Sequence, residues 1–371
     1  MWGGGMKTMT LNTPTKMLFA LLSASLHEKE VDTRPFINAS AEEWAACYRL
    51  AGAQGVMALA WGGVVKLPTE LMPPRQVKLS WASGVMAYEK IYDRYCNTAV
   101  ELAEYYAEHG IRMMQLKGVG FSVLYPNPMH REGGDIDIYT YAANKEQMSD
   151  EQANSLADEL MRRQGIKVNT HNPKHSEFYY KGIPIENHKT FLNVETYEAA
   201  VQVERALKEN MNPVITALGE GSVLTPSPTF NTLFIAFHAC QHYGSGLALH
   251  HLCDWAVILK HYGLHIPEGV TNQGFLDGVA ALTMLCNRYL GTDVEVNADE
   301  QLVTDMLDEM LNPRYAAEVP TKNKVGIIVY KTKRLLYTHR LKKRILYSTL
   351  WSRVWPSIVS HLRDPKSIFS R

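Results

Sequence analysis

A seven-residue stretch near the middle of the chain, Gly-Gly-Asp-Ile-Asp-Ile-Tyr at residues 133–139, constrains fold and chemistry together. Because side chains alternate faces along a strand, Asp135 and Asp137 point one way while Ile136 and Ile138 point into a core. Neighbouring carboxylates repel each other, and Mg²⁺ or Mn²⁺, which prefer hard oxygen ligands, relieve that repulsion. The stretch predicts a strand that carries a metal site, and a polar strand edge is the alternative.

The motifs around this stretch narrow the interpretation. In order they are Leu116-Lys117-Gly118-Val119-Gly120, Leu124-Tyr125-Pro126 and Arg131-Glu132-Gly133-Gly134-Asp135-Ile136-Asp137. This order resembles the nucleotidyltransferase superfamily typified by DNA polymerase β. More narrowly, it resembles a bacterial family of uncharacterised nucleotidyltransferases whose core runs Leu-Lys-Gly, Leu-Tyr-Pro, Arg, Gly-Asp-Ile-Asp. In one departure, Val119 stands where the superfamily places serine, so phosphate contact must rely on backbone amides, Lys117 or Arg131.

The resemblance implies an α+β fold, with a small mixed-sheet, polymerase-β-like core between N-terminal and C-terminal helical regions. It also implies that Asp135 and Asp137, together with a third carboxylate, are catalytic and hold Mg²⁺ or Mn²⁺ ions. The residues that it implies for nucleotide binding are Lys117, Gly118, Gly120, Arg131 and Gly134.

A predicted hairpin supplies the candidate for the third carboxylate. Residues 177–180 and 183–186 read as strands around a Lys-Gly turn, and Pro184 favours an edge position for the second strand. Glu186 and His188 share one face of that strand. The resembling family has an acidic residue and then histidine here, which implies that Glu186 is the third metal ligand, on a strand next to the Asp-x-Asp strand. A solvated hairpin carboxylate is the alternative. His188 flanks the hairpin, where it lines a substrate pocket or supports a metal ligand, and a solvated histidine is the alternative.

Two histidines four residues apart, His238 and His242, share a helix face, a spacing that is able to hold zinc. Ala239 stands where the glutamate of a metalloprotease would follow the first histidine. The resembling family also has two histidines here and a later aspartate, which corresponds to Asp254. We therefore expect both histidines to pack beside the active cleft, and Asp254 to orient a histidine or an arginine where domains meet.

Composition and charge exclude several protein classes. Hydrophobic residues make up 46% of the chain and charged residues 20%, which is a globular mixture rather than a disordered one. Five cysteines without a Cys-x-x-Cys pair indicate neither a disulfide framework nor a zinc knuckle and favour a reducing cytoplasm. No apolar run reaches the roughly 20 residues of a membrane span, and a net charge of zero gives no overall attraction to nucleic acid.

Changes of pattern divide the chain into four parts. We expect a disordered leader at 1–14, an N-terminal helical region at 15–109, the nucleotidyltransferase core at 110–225, and a C-terminal helical region with a basic tail at 226–371. Within the core, residues 166–168 read as a short strand that joins the small mixed sheet.

The basic tail has three interpretations. From Lys322 to Arg371 it carries 13 Lys and Arg against one acidic residue, Asp364. It docks on the acidic remainder of the chain, lies on a membrane surface, or binds a polyanion such as nucleic acid. Docking, which we favour, predicts that the lysines face outward and that five apolar residues face the protein: Leu335, Leu336, Ile345, Leu346 and Trp351.

The combined prediction is a cytoplasmic enzyme that transfers a nucleoside monophosphate from an NTP such as ATP to a hydroxyl acceptor by two-metal-ion catalysis. The acceptor that this prediction leaves open is a protein, an RNA or a small molecule. Two other classes remain open: a catalytically degenerate protein that binds nucleotide or a partner, and a membrane-peripheral adaptor that acts through the basic tail.

Overall fold

The structure is a computed structural model that describes residues 10–315, 319–320 and 323–351. Most of the expected leader, at residues 1–9, lies outside the described residues. The N-terminal helices are α1 (Thr13–Leu26), α2 (Ala41–Ala53), α3 (Met57–Val64) and α4 (Arg75–Glu108). Helix α1 begins where the side chain of Asn12 accepts a hydrogen bond from the Thr15 N–H, so the helix starts inside the range expected for the leader.

The central part contains all the strands of the described residues. Its elements are β1 (Ile111–Gln115), α5 (Val119–Ser122), β2 (Ile136–Ala142), α6 (Asp150–Arg163), β3 (His175–Tyr180), β4 (Ile183–His188), α7 (Glu198–Glu209), β5 (Val214–Leu218) and β6 (Gly221–Thr225). The C-terminal helices are α8 (Pro228–His242), α9 (Leu249–Tyr262), α10 (Gln273–Leu285), α11 (Glu300–Leu311) and α12 (Lys324–Leu346). This α+β architecture confirms the predicted fold class.

The strands form one six-stranded mixed sheet in the order β3-β4-β2-β1-β6-β5. Strands β2 and β4 run parallel, and β1 pairs antiparallel with β2 and parallel with β6. The hairpin of β3 and β4 has the predicted glycine in its turn, where Gly182 adopts a φ of +74°. The parallel pairing of β2 and β4 brings two strands that are distant in sequence side by side.

Two strand predictions were wrong in detail. Residues 166–168 are not in a strand, and the neighbouring backbone makes only an isolated bridge between Asn169 and Glu177. Strand β4 is interior rather than at an edge. Proline is tolerated there because the pairing with β2 begins at Ile185, so the missing N–H of Pro184 falls before the paired stretch.

The two faces of the sheet have different environments. On one face, Ile136, Ile138 and Ile185 are buried in a core that α4 and α6 complete. The opposite face of β2 and β4 presents Asp137 and Glu186, as alternation along a strand requires. This second face is covered by α8 and neighbouring helices, and it positions the candidate site.

The tail helix α12 docks on the protein, as the docking interpretation predicted. Ile345 and Leu346 are fully buried in the main core, against α8 and α10. The predicted orientation of the apolar side chains towards the protein was wrong at two positions, because Leu336 and Trp351 are 51% and 65% exposed. The outward orientation predicted for the lysines was also wrong for Lys342, which is buried because its ammonium group finds a hydroxyl partner inside the protein.

Across residues 10–315, 319–320 and 323–351, no helix combines the length and the apolar character needed to cross a bilayer.

Candidate active site

Three carboxylates converge at two neighbouring strands. Asp137 on β2 pairs directly with Glu186 on the parallel strand β4, and Asp135 immediately precedes β2. One ligand oxygen from each of the three side chains lies within 4.8 Å of the others. The register confirms the prediction that Glu186 sits on a strand beside the Asp-x-Asp strand, with its side chain on the same face.

Asp137 lies deepest, with its side chain 1% exposed. One oxygen, Oδ2, lies 3.1 Å from the ammonium of Lys117, and the other, Oδ1, accepts a hydrogen bond from Nε2 of His188 at 3.0 Å. Burial alone would raise the pKa of Asp137, but the Lys117 charge and the His188 hydrogen bond outweigh burial and lower that pKa far below its usual range. Asp137 therefore stays ionised, as a metal ligand must.

Lys117, which follows β1, stands between the carboxylates and α8. Its Nζ lies 4.0 Å from Asp135 and 3.4 Å from Nε2 of His238. Burial would lower the pKa of Lys117, but the charges of Asp137 and Asp135 outweigh it and raise the pKa, so the ammonium group stays charged. Burial and the charge of Asp137 raise the pKa of Asp135, which shows the carboxylate repulsion expected from the sequence.

Glu186 is held by two histidines. Nδ1 of His175 lies 3.1 Å from its Oε2, and Nε2 of His188 lies 3.6 Å from the same oxygen. Burial would raise the pKa of Glu186, but the hydrogen bond from His188 and the surrounding histidines lower it. His188 thus bridges Asp137 and Glu186 and orients both carboxylates.

The glycines predicted to bind nucleotide occupy different environments. Gly118 has a φ of +73°, and an added Cβ would lie 3.2 Å from the Gln115 amide. Gly120 is buried, and a Cβ there would approach Thr225 to 3.0 Å. Gly134 is exposed beside the carboxylates, and its carbonyl accepts a hydrogen bond from a tyrosine hydroxyl. Close packing explains Gly120 without a ligand, whereas Gly134 leaves open space at the site.

Asp254 orients an arginine where α9 meets the loop before β2, as its sequence position predicted. Both of its oxygens accept hydrogen bonds from Arg131, at 2.9 and 2.7 Å, and the Tyr125 hydroxyl donates a third at 2.6 Å. The Arg131 side chain is 10% exposed and also donates to the Gly118 carbonyl. The guanidinium group of Arg131 is thus engaged in fixing this loop, and its contact with phosphate stays a prediction.

A cavity of about 470 Å³ joins the carboxylates to the C-terminal helices. The helices α8 and α9 and their connection contribute His238, Gln241, His242, Ser245 and His251 to its wall, and Lys174 enters from the segment before β3. A larger groove of about 800 Å³ lies against α1 and contains none of the three carboxylates. The smaller cavity is the candidate site because the three converging carboxylates and Lys117 line it.

Sequence reasoning named neither Lys174 nor His251, both at this cavity, as a candidate site residue. Burial lowers the pKa of Lys174 even though its charge faces Asp137. His251 packs against both predicted histidines, with ring centroids 5.1 Å from His238 and 4.5 Å from His242. No local motif marks either residue, since each reaches the cavity only through the packing of separate elements.

A comparison with protein-family models identifies the family of this chain. Residues 40–291, more than half of the chain, match a family described as "Uncharacterised nucleotidyltransferase". The matched region contains the three carboxylates, Lys117 and Asp254, and it ends before α11 and α12. Searches of curated proteins and of solved structures found no match.

Proposed function

Because the chain belongs to the uncharacterised nucleotidyltransferase family, we propose that it transfers a nucleoside monophosphate from an NTP to a hydroxyl acceptor. The acceptor oxygen forms a bond to the α-phosphorus, and the bond from that phosphorus to the bridging oxygen breaks. Pyrophosphate leaves with the bonding electrons, and the hydroxyl proton passes to a base.

The observation that carries this proposal is the convergence of Asp135, Asp137 and Glu186 within 4.8 Å on neighbouring parallel strands. Hard carboxylate oxygens suit Mg²⁺ or Mn²⁺. Burial and then the charge of Asp137 raise the pKa of Asp135, and a bound cation would relieve the repulsion between the two carboxylates. The residues present therefore fit such ions, with all three carboxylates as ligands. Bound divalent cations would neutralise phosphate charge and favour attack by the acceptor oxygen.

The chain's own groups prepare the site. His188 fixes the orientation of Asp137 and Glu186, and the Lys117 ammonium supplies positive charge beside the carboxylates for a phosphate oxygen. Glu186, ionised and at the cavity, is the proposed acceptor of the hydroxyl proton. The Arg131–Asp254 pair acts indirectly, because it anchors the loop that leads into Asp135 to helix α9.

We also propose a cytoplasmic location. All five cysteines are free and buried, which is typical of proteins that fold in a reducing compartment.

One observation favours a second candidate function, nucleotide binding without turnover. The Lys117 ammonium lies 3.1 Å from Asp137 and 4.0 Å from Asp135, where it partly replaces the charge of a metal ion. In a degenerate enzyme such a lysine would occupy the site permanently. In an active one it must move as the metal ion and nucleotide enter.

The test is transfer of label. The full-length chain is incubated with each NTP labelled at the α-phosphate, Mg²⁺ and a cell extract, and labelled macromolecules and small molecules are then separated. We expect label in one class of acceptor with the wild type and none with Asp137→Asn, which keeps the shape of the side chain and removes its charge. Binding of Mg²⁺–NTP with no labelled product from any extract would favour the degenerate candidate.

A further inference from the structure

The candidate cavity is lined by groups of both charges. Its three carboxylates share the wall with Lys117, which pairs with Asp137, with Lys174, and with histidines of α8 and α9. A third lysine, Lys342 of α12, donates a hydrogen bond at 2.7 Å to the hydroxyl of Ser245, which lines the same cavity. Helix α12 lies outside the family-matched residues, so this chain's C-terminal part adds positive charge to the site.

Lys174 is the least satisfied of these cations. Within the described parts of the chain it forms no ion pair closer than 4.0 Å. Its backbone is fixed, because its carbonyl accepts hydrogen bonds from the amides of Lys189 and Thr190 at the end of β4. A lysine that is held in a cavity and whose charge is poorly solvated stabilises an anion strongly once one arrives.

The tautomer of His251 also favours an anion. Its Nδ1 accepts a hydrogen bond from the Ala248 N–H at 3.2 Å, so in the neutral ring the proton resides on Nε2. That nitrogen is consequently a donor, beside His238 and His242. The three rings have atoms within 4.8 Å of one another, which is a metal-ligand spacing, but a protonated Nε2 does not bind a metal.

We propose that Lys174, the Nε2–H of His251 and the Lys342-supported Ser245 form a phosphate subsite in the cavity that the three carboxylates also line. The proposal rests on the proposed function for its place in the reaction. Its ligand is either the phosphate groups of the NTP beyond the α-phosphate or a phosphate group of the acceptor. Both sources present the same chemistry, a multiply charged phosphate that carries no base-specific information.

Calorimetry with inorganic triphosphate tests this subsite. The full-length chain is titrated in metal-free buffer at physiological ionic strength, so the result depends neither on metal binding nor on transfer activity. We expect Lys174→Met to weaken binding about tenfold or more, because charged hydrogen bonds are the strong ones. Lys174→Arg should restore most of the affinity, and the exposed Lys167→Met, with the same loss of charge, should have no effect.

Circular dichroism checks that each variant folds. If Lys174→Met does not fold, Lys342→Met is titrated with triphosphate in its place, with the same expected loss of binding. Competition distinguishes the two sources: displacement of triphosphate by Mg²⁺–NTP assigns the subsite to the nucleotide, and simultaneous binding assigns it to a phosphorylated acceptor. Absence of triphosphate binding to the wild type would overturn the proposal, as would unchanged binding by the lysine variants. Stoichiometric zinc in untagged protein that His251→Gln removes would also overturn it. If the wild-type protein binds triphosphate but transfers no label to any acceptor, that result would count against the proposed function alone.

Discussion

The buried Arg131–Asp254 pair gives the sharpest stability prediction. Its side chains are 10% and 8% exposed, and two short hydrogen bonds join them. Asp254→Ala would leave the guanidinium group buried without a counter-ion and would remove the acceptor of the Tyr125 hydroxyl. Breaking one side of such a pair costs about 3–5 kcal/mol. We expect the free energy of unfolding in urea to fall by that amount, as followed by circular dichroism.

A matched exposed pair provides the control. Glu159 lies on the surface of α6 next to Arg163, with the two side chains 46% and 66% exposed, so Glu159→Ala should cost less than about 1 kcal/mol. The double variant Arg131→Leu/Asp254→Leu should recover part of the loss, since it leaves no charge buried. If Asp254→Ala were no more destabilising than Glu159→Ala, the reasoning about the buried pair would be refuted.

Three further predictions concern other parts of the fold. Leu346→Ala should lower the free energy of unfolding by about 2–5 kcal/mol, because Leu346 is buried. Leu336→Ala, at a half-exposed position, should lower it by less than about 0.5 kcal/mol. Equal effects of the two substitutions in chemical denaturation would contradict docking of α12. Burial raises the pKa of Glu204, so the folded state holds its proton more tightly; stability should fall as pH rises above about 4.5 and through the raised pKa. In Glu204→Gln the free energy of unfolding should decline less over that pH range. An identical decline in the variant and the wild type would refute Glu204 as its cause. Gly118→Ala should lower the free energy of unfolding by about 1–3 kcal/mol, because the φ of +73° and ψ of −139° at this position suit only glycine. The control Gly52→Ala, in helix α2 with open space around it, should leave the melting temperature unchanged or raise it.

Local patterns predicted the elements that carry the carboxylates. The alternation of Asp135 and Asp137 with isoleucines fixed which face of β2 is buried, and a glycine turn predicted the β3–β4 hairpin. The pairing of β4 with β2 is a long-range contact with no signal in either strand. Its correct placement beside the aspartates came from the family resemblance rather than from periodicity.

The lysines and the histidine of the proposed phosphate subsite could not be predicted from local patterns for the same reason. Lys174 and His251 line the cavity and Lys342 bonds to Ser245 of its wall, and only packing brings these three parts of the chain, distant in sequence, together. The outward orientation expected of the tail lysines failed at Lys342 because a buried hydroxyl compensates the loss of water. Three elements, α7, β5 and β6, were not predicted, and in β5 the exposed Val214 and Ile215 blur the alternation that indicates a strand.

The central claim is that Asp135, Asp137 and Glu186 hold divalent cations that bind an NTP. The most direct test is calorimetric titration of Mg²⁺–NTP into the full-length wild type and into Asp135→Asn/Asp137→Asn, with folding checked by circular dichroism. Because amides cannot supply the negative charge that holds the ion, we expect Mg²⁺-dependent binding in the wild type and its loss in the folded double variant. Unchanged Mg²⁺–NTP affinity in that variant would contradict the account.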